Sequence, residues 1–214
     1  MAVSAISSQT LIILNKNATY LTLATVSEGL FKEKGSKFLA FAYPVKTEQE
    51  IKGILEGLRK KYFDARHHCY AYILGKNKDV FRTNDDGEPN HSAGDPILGQ
   101  IRSHSLTNVL IVVVRYFGGT KLGVGGLINA YKTAAAEAIL NNQVIETEDR
   151  KELTLHFGYQ EMNQVMKLVK EYDLEIAAQK FDNICEINLS GPDGIWEMVI
   201  AKAKDLEGVV MVGD

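Results

Sequence analysis

A chain of 214 residues, 45% of them hydrophobic, holds enough apolar side chains for one large core or two small ones. A net charge of −3 and a pI near 6.0 exclude a global basic field, so any nucleic-acid role must rest on a local patch. Cys69 and Cys185 lie far apart without CxxC spacing, which suits a reducing cytoplasm better than a disulfide scaffold. No apolar run approaches membrane-spanning length, and the N-terminus lacks a basic region and cleavage site, so a soluble cytoplasmic protein is expected.

Met1 to Thr19 reads as a weakly apolar lead-in. Tyr20 to Val26 alternates like a strand, Glu28-Gly29 reads as a turn, and the basic turn Lys34-Gly35-Ser36-Lys37 precedes a second strand, Phe38 to Val45. Pro44 marks that strand's edge or exit. Thr47 and Glu50 form a capping box, and Ile51, Ile54, Leu55, Leu58 and Tyr62 give a helical face, with Gly53 and Gly57 allowing close approach to a sheet. A third strand, Cys69 to Leu74, and a short fourth, Val80 to Arg82, lead into a loop from Asp85 to Gly94. Asp95 then reads as an N-cap with Pro96 in the first turn.

The run Val109 to Val114 fits a strand buried on both faces. After a basic, aromatic and glycine-rich loop, Val124, Leu127, Ile128, Tyr131, Ala135, Ala138 and Ile139 form one helical face ending near Leu140. Beyond a charged connector, Glu146 to Lys151, the pattern is βαββαβ. Its strands are Glu152–Phe157, Glu175–Phe181, Ile184–Leu189 and Val209–Val212. Its helices are Met162–Tyr172 and a segment opened by Pro192 that runs to Lys204.

Five groups of residues carry potential chemistry. In the loop after the buried strand, Gly118, Gly119, Gly125 and Gly126 let backbone amides approach an anion. The helix start adds its positive end, and Arg115 and Lys121 add charge. This is neither a Walker A loop nor a dinucleotide fingerprint, whose third glycine would fall on Ile128. The plainer alternative is a tight turn for helix–sheet packing. Asp85, Asp86 and Glu88 can hold Mg²⁺ with substrate phosphate, or serve as an ordinary acidic turn. In Arg66-His67-His68-Cys69, strand alternation points His67 and Cys69 to one face and His68 to the other. That suits a Cys–His or zinc site, or simply a buried Cys. Lys34, Ser36 and Lys37 can join Arg115 and Lys121 in a basic patch. In the last third, Phe157, Tyr159, Phe181 and Trp196 can stack bases or fill a core.

Taken together, Lys34-Gly35-Ser36-Lys37-Phe38, Asp64 to Cys69, Asp85-Asp86-Gly87-Glu88-Pro89 with Ser92-Ala93-Gly94, and Val114 to Leu127 stand in an order that resembles the YigZ/IMPACT family over roughly residues 20 to 140. The resemblance implies an α+β protein of two domains. Residues 1–143 would resemble the second domain of ribosomal protein S5, a fold shared with elongation-factor domain IV and small-molecule kinases. Residues 144–214 would form a ferredoxin-like βαββαβ domain of elongation-factor type. That pair implies a translation-associated regulator in contact with RNA, the ribosome or a translation factor, without agreed catalysis and without a cofactor. The candidate anion or nucleic-acid set is Lys34, Lys37, Arg66, His67, Arg115, Gly118, Gly119, Lys121, Gly125 and Gly126. The alternative is a binder or enzyme of a phosphorylated small molecule, using Mg²⁺ on Asp85, Asp86 or Glu88. The eukaryotic relative restrains a starvation-sensing kinase pathway through an added N-terminal RWD-type domain. This sequence carries no such segment, and Asp95 stands where many relatives have Lys.

Overall fold

A computed structural model of the chain describes residues 19–212, so the proposed lead-in falls almost wholly outside the described residues. The chain divides into two compact units, Tyr20–Thr147 and a second beginning at Glu148.

The first unit is built on a five-stranded antiparallel sheet in the order β2-β3-β6-β4-β5. Its strands are β2 (Ser27–Glu33), β3 (Ser36–Pro44), β4 (His67–Leu74), β5 (Val80–Asn84) and β6 (Val109–Tyr116). β6 occupies the centre, and its β-branched run is buried on both sides. Val109, Ile111 and Val113 enter a core with helices α2 (Gly94–Ser103) and α3 (Gly123–Leu140). Leu110, Val112 and Val114 enter a smaller core under α1 (Glu48–Lys61). A separate two-stranded pairing joins β1 (Thr19–Leu23) to β7 (Val144–Glu148).

Local signals set most of these elements, but contacts distant in sequence reset several. Glu28-Gly29 is no turn: both residues lie within β2. Gly29 is there because α3 presses onto the strand, and an added Cβ would meet Ala138 N at 2.5 Å. Thr47 caps α1 as expected, Glu50 N donating to its Oγ1 at 3.2 Å, while Glu50 accepts from Lys46 N. Gly53 and Gly57 face open space rather than the sheet. Asp95 does not cap α2. Asp85 reaches across the loop instead, its Oδ1 accepting from Ala93 N at 3.0 Å and Gly94 N at 2.8 Å. In α3 the buried face includes Ala130 and Ala134, and Val124 and Ile128 are exposed, contrary to the face read from the sequence.

The second unit follows the expected element order: β8 (Arg150–Phe157), α4 (Met162–Glu171), β9 (Glu175–Phe181), β10 (Cys185–Pro192), α5 (Trp196–Lys204) and β11 (Val209–Val212). Its strand order is β11-β8-β10-β9, antiparallel throughout. Leu155, Phe157, Ile187, Leu189 and Trp196 lead its core. No helix among the described residues is long and apolar enough to cross a membrane.

Candidate functional site at one end of the first sheet

The four motif segments meet at one end of the first sheet. Phe38 at the start of β3 and His67 at the start of β4 both pair with Arg115 at the end of β6. The tip of the β2–β3 hairpin touches the loop after β6: a Cβ on Gly118 would lie 1.9 Å from Gly35 C and 2.1 Å from Ser36 N. Gly118 N also donates to Ser36 Oγ at 3.1 Å. Glycine is required at 118 so that two backbones can touch.

Arg115 does not join the surface patch. Its side chain is buried, Nη1 lies 2.6 Å from Glu88 Oε1, and Tyr131 Oη donates to the same carboxylate oxygen at 2.7 Å. The guanidinium sits between the rings of Phe38 and Phe117, 5.4 and 5.7 Å from their centroids. Cys69 Sγ donates to Asp85 O at 3.0 Å and lies 3.3 Å from Tyr131 Oη. Burial pushes the Cys69 thiol and the Tyr131 hydroxyl well above their ordinary values, so both stay protonated at neutral pH. Cys69 is therefore a core side chain and not a thiolate nucleophile.

The three carboxylates are each engaged within the protein. Asp85 caps α2, Asp86 Oδ2 accepts from His68 N at 2.7 Å and its Oδ1 lies 3.6 Å from Arg59, and Glu88 neutralises Arg115. Among the described residues no group of three His, Cys, Asp or Glu side chains is placed to hold a metal ion. His67 and His68 diverge as strand alternation requires. His67 Nδ1 lies 2.8 Å from Asp86 O, and His68 is buried on the α1 side with its Nε2 unpartnered.

The cations left at the surface are Lys34, at the hairpin tip with φ of 45°, Lys37, Arg66 and Lys121. Gly119 takes a positive φ of 87°, and Gly125 faces open space. A Cβ on Gly126 would meet Leu122 Cβ at 3.0 Å. Two features escape a one-dimensional reading. Lys32 stands directly opposite Lys37 in the β2–β3 ladder, and Phe117 is 55% exposed above buried Arg115. The lysine pairing follows only from strand register, and nothing in the residue type of Phe117 separates it from a core aromatic. In the second unit, Phe157 and Trp196 are core, and Tyr159 and Phe181 are exposed.

Residues 34–139 match the family described as the Impact N-terminal domain. A Bacillus subtilis (strain 168) protein, IMPACT family member YvyE, is 38% identical over 60% of this chain and 59% of its own length. An IMPACT family member of Haemophilus influenzae is 33% identical over 74% of this chain and 79% of its own length. A crystal structure described as that of a hypothetical protein, 26% identical, covers 92% of this chain and 98% of its own with a TM-score of 0.66.

Proposed function

We propose, from the premise that the chain belongs to the IMPACT family, that it is a cytoplasmic, translation-associated regulatory protein that binds RNA, on the ribosome or beside a translation factor, without established catalysis. In this reading the first unit is the domain resembling the second domain of ribosomal protein S5, and the second is ferredoxin-like, with the boundary near Thr147 rather than residue 143. The observation that supports it is a sorting of charge at the motif-bearing end of the first sheet. Lys34, Lys37, Arg66 and Lys121 stand at the surface, and Asp85, Asp86 and Glu88 are taken up by a helix cap, a backbone N–H and an ion pair, with Asp64 left exposed beside Tyr116. A patch with four exposed cations and most of its motif carboxylates engaged suits a polyanion despite the net charge of −3.

Sucrose-gradient sedimentation from gently lysed cells tests this. Migration with ribosomal subunits at low salt, diminished at moderate salt and in a Lys34→Ala/Lys121→Ala variant, is the expected result. Migration at the top of the gradient at both salts would remove the reading. The rival, a binder of a phosphorylated small molecule with Mg²⁺, needs free carboxylates beside the glycine loop, and Asp85, Asp86 and Glu88 are each engaged elsewhere. A thermal-shift screen with nucleotides and sugar phosphates, with and without Mg²⁺, is the direct check on that rival.

A further inference from the structure

We infer that the groove on the open face of β2, β3 and β6 binds single-stranded RNA, holding a phosphate between Lys32 and Lys37 and stacking an unpaired base on Phe117. The inference rests on the RNA-binding reading above and adds to it a place and a strand class.

Helix α1 covers Phe41, Val112, Tyr70 and Tyr72 on this face and leaves the β2 side open. There Leu30, Leu39, Lys32, Lys37, Tyr116 and Phe117 line a shallow groove of about 490 Å³. Its floor is apolar, with Leu30 50% exposed, and its aromatic rings lie at one end. An exposed apolar floor flanked by cations is a poor solvated surface and a good seat for a flat, apolar-faced and negatively charged ligand.

The two lysines supply the sharper argument. Directly opposed residues of an antiparallel pair hold their Cβ atoms about 5 Å apart, and like charges in that position destabilise the pair. Lys32 and Lys37 are so opposed, and no carboxylate forms an ion pair with either among the described residues. A phosphate lying between two ammonium groups turns that repulsion into attraction.

The aromatic end is held in place before any ligand arrives. Tyr116 Oη donates to Asp64 Oδ1 at 2.8 Å, which fixes the ring at the groove wall. Phe117 rests on the Arg115 guanidinium, itself locked by Glu88, and the next residue, Gly118, is wedged against the hairpin. Arg115 is thus a positioning residue, supporting the platform rather than touching RNA. A ring fixed in this way gives stacking without an ordering penalty. A duplex keeps its base faces inside its own stack, so only an unpaired base can use Phe117.

Fluorescence anisotropy of the full chain with a labelled oligo-U RNA and with a blunt-ended RNA duplex of equal length is the test. The single strand is expected to bind more tightly than the duplex. Phe117→Ala should weaken the single strand by about tenfold and leave its salt dependence intact, and Phe117→Trp should restore binding. Lys32→Gln with Lys37→Gln should weaken it and flatten its salt dependence. All three positions are solvent-facing, and circular dichroism checks that the variants fold. Equal or tighter binding of the duplex, or RNA binding untouched by these variants, overturns the groove while leaving the translation reading standing. Failure to bind either RNA, with sedimentation on ribosomal subunits retained, overturns RNA as the occupant and assigns the surface to a protein. Loss of that sedimentation in the unaltered protein is the separate result that removes the translation reading.

Discussion

The two units solve the problem of a core in different ways. The first keeps polar and charged side chains inside: Glu88, Arg115, His68, Asn108 and Gln100 are all buried, along with several Ser and Thr. In the second, among the described residues, every buried side chain is apolar apart from the indole N–H of Trp196, which donates to Gly191 O at 3.0 Å. Their open sheet faces differ too. The second carries Glu152, Glu186 and a His156–Glu186 contact of 2.7 Å, and the first carries Lys32 and Lys37. Buried polar networks add little net stability, but they fix where loops lie, because each member is expensive to leave unpaired. The difference teaches that the first unit devotes part of its core to holding one sheet end in a single arrangement, and the second is packed as a plain scaffold.

The hardest blow to that contrast is Glu88→Gln. It leaves Arg115 buried without its countercharge and should destabilise the first unit by about 3–5 kcal/mol, with the second unit's transition unmoved in a denaturant titration. Leu155→Ala is the mirror experiment. It should lower only the second unit's stability, by about 2–5 kcal/mol, with no effect on RNA binding. Gly118→Ala forces a Cβ into the hairpin backbone and should cost about 1–3 kcal/mol while weakening RNA binding, since it displaces Phe117. Gly57→Ala should run the other way. Its Cβ meets open space on a helix, so the first unit gains about 0.5–1 kcal/mol by thermal melting.

The smallest expected effect is a pH dependence confined to the first unit. Burial holds His68 below its ordinary value of 6.5, against the opposing pull of Asp86. The fold therefore prefers the neutral ring. That contribution is fully present above about pH 6.5 and is lost as pH falls through the lowered folded value. Stability measured between pH 7 and pH 5 should fall in the wild type and fall less in His68→Gln, with the second unit showing no such difference.

Much of the architecture was legible in the residues. The β-branched run Val109 to Val114 identified the central strand, Thr47 and Glu50 the start of α1, and the alternation of strands and helices after Lys151 the second unit. Those signals are local, because backbone preference and side-chain periodicity act over a few residues. Glycine misled where its reason was distant. Gly29 reads as a turn and is a landing site for α3, and Gly53 reads as a contact and faces open space.

What the sequence by itself determined is therefore the element order of the second unit, the buried central strand of the first and the family. Tertiary structure alone decided what the charged motif residues do. Arg115 meets Glu88 across 27 positions, Asp85 caps a helix that begins nine residues away, and Lys32 faces Lys37 through strand register. A charge's partner is set by which strand lies beside it and which face it takes, and a one-residue change of register would reverse both. The same Arg115 that reads as a surface phosphate ligand in one dimension is, in three, the buried support of the ring beside it.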